Sequence, residues 1–94
     1  MIGMARTWSL ELAPAGITVN VVAPGPIRTD NFWDIPPRDS PQEAALADRI
    51  PVGRLGSPAD VANAIAFFCD PASGFITGQT LYVCGGASIG MLQI

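Results

Sequence analysis

Hydrophobic and polar positions alternate along this chain in two ways, which predict a helix followed by two short strands. In residues 1–13 the apolar positions Met1, Ala5, Trp8 and Leu12 recur at three- and four-residue steps, a period typical of an amphipathic helix. Residues 17–23 and 80–84 are instead nearly continuous apolar runs rich in β-branched side chains. Runs of this kind are typical of parallel strands that are covered on both faces.

Two more helices are predicted between these strands by their start signals. Ser40-Pro41, followed by Glu43, places a capping serine, a proline at the first helical position and an acidic residue at the third, and this helix runs to about residue 49. Residues 57–60 have the same start signal, a serine, a proline and an acidic residue, for a helix that reaches about residue 70. Residues 24–39 are rich in proline and form a long loop. A crossover that contains helices can join parallel strands. The order strand, loop, two helices, strand therefore predicts an α/β unit of βαβ type.

The composition restricts the possible partners. The chain has 94 residues, of which 49% are hydrophobic and only 14% charged, against about 25% charged in an average soluble domain. The apolar runs are far shorter than the roughly 20 residues of a membrane span, and no signal peptide is recognised, so no membrane partner is expected. The net charge of −3, without lysine or histidine, argues against a nucleic-acid partner. We expect the apolar faces to be buried against more of the same fold or against other subunits.

The two cysteines give no sign of a metal site or a disulfide. Cys69 and Cys84 lie 15 positions apart, without the spacing of a metal motif and without any histidine in the chain. We interpret both as buried apolar thiols in a reducing compartment, which favours a cytoplasmic location.

The candidate chemistry lies where the first strand ends. Residues 20–23 run directly into Pro24-Gly25-Pro26, and a hydroxyl follows at Thr29. Ligands of open α/β sheets bind just outside the carboxyl ends of the strands, so this position is a candidate binding site. From the residues alone, an ordinary strand-ending turn with a capping threonine is the favoured interpretation.

Five segments, taken in order, resemble the short-chain dehydrogenase/reductase family. The resemblance covers residues 3–86 and is to the C-terminal part of such enzymes only. It implies that residues 1–94 form the C-terminal βαβ part of a Rossmann doubly wound parallel sheet, in which residues 24–54 are a substrate-lid loop and a short helix. The segments are LELAPAGITVN at 10–20, PGPIRT at 24–29, IPVGRLG at 50–56, SPADVA at 57–62 and ITGQTLYVCGG at 76–86.

The resemblance also implies an activity and a cofactor site. Family members transfer a hydride between NAD or NADP and an alcohol or ketone substrate. By this resemblance, Pro24 and Gly25 shape the wall against the nicotinamide ring. The backbone of Ile27 hydrogen-bonds the carboxamide, and the Thr29 hydroxyl adds a contact. A glycine at position 25 is expected to permit close approach and uncommon backbone dihedral angles.

Phe32 and Trp33, with Ile35, fall in the segment that the family uses as a lid over the substrate. They form either an apolar wall of the substrate pocket or a loop that packs on the short helix, and the sequence does not separate these alternatives. The resemblance further implies a homo-oligomer, a dimer or tetramer, with the first helix in one subunit interface and the last helix and strand in another.

No catalytic residue is expected within this chain. The family's glycine-rich loop and its Ser-Tyr-Lys set precede the part that matches, and the chain has no lysine and only one tyrosine, Tyr82. The 94 residues alone are therefore expected to be inactive. The alternative function is a truncated, non-catalytic chain that only self-associates.

Four polar residues are interpreted as structural. Asn20 is expected to be a satisfied amide within the core, and Arg54 to tie its loop to backbone carbonyls. Ser57 and Asp60 are expected to cap the last helix.

Overall fold

A computed structural model describes residues 2–28 and 37–90, and it has the order of elements that the sequence predicts. The elements are α1 (Ile2–Leu12), β1 (Val21–Pro24), α2 (Pro41–Arg49), α3 (Pro58–Cys69) and β2 (Thr80–Val83), with short 3-10 turns at Ala13–Ala15 and Pro71–Ser73. Within the described ranges, no helix combines the length and apolarity that crossing a bilayer requires.

The two strands pair in parallel, as predicted. Val21 lies opposite Thr80, and Pro24 lies opposite Val83. Helix α3 packs on both strands and forms the crossover layer of the βαβ unit. The α/β class predicted from the sequence is confirmed.

β1 begins four residues later than the apolar run suggested, because polar groups hold residues 17–20. The N–H of Val19 donates to Thr77 Oγ1 at 3.0 Å, and the N–H of Gly78 donates to the Val19 carbonyl at 2.8 Å. The Asn20 amide donates to the Ile76 carbonyl and accepts from the N–H of Gln79, both at 3.1 Å. Asn20 is thus a satisfied structural amide, as interpreted, at a half-buried position.

Both predicted helix caps form. At α3, Ser57 Oγ accepts from the N–H of Asp60 at 3.3 Å, and the Asp60 carboxylate accepts from the N–H of Ser57 at 2.8 Å, which completes a capping box. At α2, Ser40 Oγ accepts from the N–H of Glu43 at 3.1 Å, whereas the Glu43 carboxylate forms an ion pair with Arg28.

Burial differs from what the apolar pattern predicts. In α1 the buried residues are Ala5 and Ser9, one turn apart, whereas Trp8 is 48% exposed. Within the described chain Leu81 is 39% and Tyr82 is 52% exposed, so these residues alone do not cover both faces of β2. Two paired strands under one crossover helix leave the opposite face and the sheet edges open.

The expectation that both cysteines are buried is also wrong. Cys69, the last residue of α3, is exposed, and Cys84 is half-buried in the turn that follows β2. Each cysteine lies at the end of its element, where little of the described chain covers it.

Candidate functional site

The carboxyl ends of β1 and β2 meet at one edge of the sheet. The N–H of Gly25 donates to the Val83 carbonyl at 2.9 Å, so the pairing continues one residue past β1. A Cβ placed on Gly25 would lie 2.7 Å from the Cβ and 2.8 Å from the Cα of Cys84. The two chain segments are therefore in direct contact, and only glycine fits at position 25.

The expectation of an unusual dihedral angle at Gly25 is wrong. Its φ lies outside the left-handed region, in contrast to Gly85 (φ 62°) and Gly86 (φ 93°), which turn the chain after β2. Glycine is required at position 25 because the backbone at Cys84 approaches so closely, and not because of strained geometry. Sequence reasoning did not assign Cys84 to this contact, because nothing local to Gly25 identifies its partner.

Beyond Gly25, the chain pairs with the segment that precedes α3. The N–H of Gly56 donates to the Pro26 carbonyl at 2.9 Å, and the N–H of Arg28 donates to the Gly56 carbonyl at 2.8 Å. Together these bonds form a parallel bridge between Ile27 and Gly56. A Cβ on Gly56 would lie 2.5 Å from Ile27 Cδ1, so a glycine is needed here too.

This bridge leaves the backbone of Ile27 available for a ligand. In extended backbone, successive N–H and C=O pairs point to opposite sides. Because the Pro26 carbonyl and the Arg28 N–H point toward Gly56, the N–H and C=O of Ile27 point away from it, and neither bonds to another described residue. A donor and an acceptor on one residue match the two functions of a carboxamide, which carries an acceptor oxygen and an NH₂ donor.

Helix α2 is attached to this site at both ends. At its beginning, Glu43 forms the ion pair with Arg28, the residue that follows Ile27. After its end, Ile50, only 1% exposed, packs on the glycine turn that follows β2, where a Cβ on Gly85 would lie 2.9 Å from Ile50 Cγ2. The N–H of Val52 also donates to the Gly85 carbonyl at 3.1 Å.

An open depression of about 650 Å³ lies beside this edge, between β2, α3 and the preceding loop. Its lining includes Ile27, Val52, Phe67 and Leu81, but neither Pro24 nor Gly25. The depression therefore reaches Ile27 but not the predicted wall at Pro24 and Gly25.

Arg54 and Asp60 form an exposed ion pair at this depression. Arg54 donates to the two Asp60 carboxylate oxygens at 2.9 and 3.4 Å, and to the Leu55 carbonyl at 3.1 Å. The hydrogen bond from Arg54 holds the pKa of Asp60 well below its usual range, with further help from the N–H of Ser57. Arg54 thus contacts one carbonyl, as expected, but its main partner is the carboxylate that caps α3.

Cys84 carries a perturbed thiol at the same edge. The Ser88 hydroxyl lies 3.1 Å from Sγ, and the N–H of Ser88 donates to Sγ at 3.5 Å. Both contacts stabilise a thiolate, so the pKa of Cys84 is lowered.

Of the predicted site residues, Pro24, Gly25 and Ile27 lie together at the strand end, where Pro24 is exposed and the other two are half-buried. Thr29, Phe32, Trp33 and Ile35 lie outside the described residues. Arg28, Glu43 and Gly56, which connect the strand end to α2 and α3, were not predicted as site residues. The PGPIRT and GRLG motifs contain two of them, but neither motif indicates a contact partner.

Comparisons with known proteins agree with this architecture. Residues 1–88 match the family model described as enoyl-(acyl carrier protein) reductase. Over 89 residues the chain is 49% identical to the (2S)-[(R)-hydroxy(phenyl)methyl]succinyl-CoA dehydrogenase subunit BbsD of Thauera aromatica, with 95% of this chain and 35% of the relative covered. It is 45% identical over 86 residues to the 3-oxoacyl-[acyl-carrier-protein] reductase FabG of Rickettsia felis, covering 92% of this chain and 34% of that protein.

Solved structures of related proteins share this fold. A short-chain dehydrogenase/reductase of Serratia marcescens, an F98L/F202L mutant, superposes with a TM-score of 0.79 at 32% identity, over 93% of this chain and 34% of the other. BdcA in complex with NADPH also gives 0.79, at 35% identity, over 99% of this chain and 36% of the other. The chain spans about a third of the length of these relatives. From the family model, the relatives and the shared fold, the chain belongs to the short-chain dehydrogenase/reductase family.

Proposed function

We propose that this chain supplies the nicotinamide-side wall, the substrate lid and the oligomer interfaces of an NAD(P)-dependent oxidoreductase that acts on an alcohol or ketone. In this proposal residues 1–94 are the C-terminal part of a Rossmann domain, and residues 24–54 are its substrate side. Nicotinamide, when bound, supplies the hydride acceptor or donor. The residues of this chain bind and orient it.

The observation that carries the proposal is the free backbone of Ile27. Its N–H and C=O lie at the carboxyl edge of two parallel strands, where ligands of this fold class bind, and they suit a carboxamide. Pro24 and Gly25 form the adjacent wall, and the Thr29 hydroxyl is proposed to add one contact. One structural relative, BdcA, is a complex with NADPH, and FabG is a reductase, which supports NAD(P) as the cofactor.

The chain has no residues for proton transfer of the family type. It lacks lysine, and Tyr82 belongs to β2, where it lies opposite Ala23 of β1. We propose that turnover needs groups outside residues 1–94, with Phe32 and Trp33 over the substrate, in a cytoplasmic homo-oligomer.

The test replaces the corresponding last third of Rickettsia felis FabG with the full 94-residue chain. The fusion is expected to bind NADPH, detected by cofactor fluorescence, and to reduce a 3-oxoacyl thioester. The 94-residue chain alone is expected to show no turnover. FabG itself, carried through the same preparation, is the control for the assay.

Ile27→Pro in this fusion directly tests whether the backbone N–H of Ile27 binds the cofactor. Proline removes the N–H of residue 27, which the Gly56 bridge does not use, so the fold should persist while NADPH binding weakens about tenfold, or ~1.4 kcal/mol. Ile27→Val keeps the N–H and should bind NADPH like the parent fusion. Unchanged NADPH affinity in a folded Ile27→Pro variant would overturn the proposed contact.

A second candidate, a non-catalytic chain that only self-associates, is favoured by one observation. Large apolar side chains are exposed across the described surface, including Leu10 at 78%, Phe75 at 103% and Ile89 at 93%. Apolar side chains that are exposed in one subunit become buried when subunits associate, which favours self-association. Sedimentation of the chain should then show species larger than 9.8 kDa, together with a fusion that neither binds NADPH nor turns over.

A further inference from the structure

The Arg28–Glu43 ion pair connects the proposed cofactor wall to helix α2. The two side chains are only 14% and 22% exposed, so water screens their attraction less than at an open surface. Glu43 lies in the first turn of α2, where the helix dipole favours a negative charge. The pair therefore lies where it is both partly shielded and electrostatically favoured.

Both partners are themselves held by the backbone around them. The N–H of Arg28 donates to the Gly56 carbonyl at 2.8 Å, one residue from the free groups of Ile27. The N–H of Glu43 donates to Ser40 Oγ at 3.1 Å, which fixes the first turn of α2. The ion pair thus joins two hydrogen-bonded backbone positions, one beside Ile27 and one in the first turn of α2.

We propose that Arg28 and Glu43 are a positioning pair that fixes α2 relative to the Ile27 backbone and so sets the substrate's position against the cofactor. The inference rests on the proposed function. When the pair is lost, the attachment of Ile50 to the Gly85 turn remains, so α2 pivots about its C-terminal end. Such a pivot changes the substrate side of the site and leaves the cofactor contacts at Ile27 in place.

The experiment uses the fusion described above, with Glu43→Gln and Arg28→Gln made singly and together, and with the charge-swapped pair Arg28→Glu/Glu43→Arg. Asp48→Asn removes the same charge from an exposed position on α2 and is the matched control. Glu43→Gln should raise KM for the 3-oxoacyl thioester about tenfold, which converts to ~1.4 kcal/mol, with NADPH affinity unchanged. The double variant should cost no more than the Arg28→Gln variant, and the swap should recover most of the loss.

A second readout does not depend on turnover. Hydrogen exchange at the amides of residues 44–49 should accelerate in Glu43→Gln and return toward the parent rate in the swapped pair, while Asp48→Asn leaves it unchanged. Equal effects of Glu43→Gln and Asp48→Asn on exchange would overturn the positioning role. A fusion that binds no NADPH and shows no turnover contradicts the proposed function instead, and the exchange result still decides the role of the pair.

Discussion

Gly25→Ala is expected to force apart the carboxyl ends of β1 and β2. The added methyl carbon would lie 2.7 Å from the Cβ and 2.8 Å from the Cα of Cys84. Carbon atoms pack at about 3.5–4.0 Å, so the separation falls short by about 1 Å. Rotation of the Cys84 side chain brings no relief, because its Cα is backbone. Overpacking of this kind costs about 1–3 kcal/mol.

Two other glycines separate this steric cost from ordinary effects of alanine. Gly3 lies in α1, and no atom of the described residues lies within 4 Å of an added Cβ, so Gly3→Ala should be neutral or stabilising by up to about 1 kcal/mol. Gly16 has the same free space but a φ of 77°, so Gly16→Ala should cost about 1–2 kcal/mol from backbone conformation alone. All three substitutions add one methyl group, and only Gly25→Ala adds it against another strand.

Urea unfolding and thermal melting of the fusion with FabG measure the stability of each glycine variant, and an NADPH titration measures its cofactor affinity. For a chain of 150–250 residues, 1 kcal/mol shifts Tm by about 2–4 °C, so Gly25→Ala should melt several degrees lower and bind NADPH more weakly. A Gly25→Ala fusion that melts and binds NADPH like the Gly3→Ala fusion would refute the close contact with Cys84.

Three further predictions follow from polar contacts. Because Arg54 lowers the pKa of Asp60, this carboxylate contributes stability above its unfolded pKa of about 3.9, and the contribution is lost as pH falls through the lower folded pKa. Asp60→Asn should therefore be less stable than the parent at pH 7 and converge with it in acid, as measured by urea unfolding from pH 7 down to 2. Ser88→Ala should raise the pKa of Cys84 and slow its alkylation by iodoacetamide at pH 7.5, and a rate equal to the parent's would contradict the contact. Asn20→Ala removes two hydrogen bonds at the start of β1 and should cost about 1–3 kcal/mol by urea unfolding, whereas a loss below 0.5 kcal/mol, within the ordinary range of surface substitutions, would count against their role.

The sequence predicts what is encoded within a few neighbouring residues. The starts of α2 and α3 follow from Ser-Pro and an acidic residue three positions after the serine, and both serines do cap their helices. The glycine break after β1 is equally local. The parallel pairing follows from a slightly longer range, because a crossover with helices leaves few other ways to join the two strands.

What the sequence does not predict depends on partners distant along the chain. Glu43 has the position of a capping-box residue, yet its carboxylate contacts Arg28, 15 positions earlier. Gly25 has two possible reasons to be glycine, an unusual φ or lack of space, and only the position of Cys84 decides between them. Trp8 follows the apolar period of α1 but is half exposed, because burial depends on which elements pack against the helix.

The alternation of backbone groups around Ile27 explains how one segment both holds the fold and presents a binding surface. The Pro26 carbonyl and the Arg28 N–H bond to Gly56, so the intervening groups of Ile27 point the other way, where no described residue bonds to them. In the proposed function this contact is made by the backbone, so most residues at position 27 should preserve it, and proline alone removes its donor. Helix α2, which Arg28 and Ile50 hold next to this backbone, is the described element that the proposal places on the substrate side.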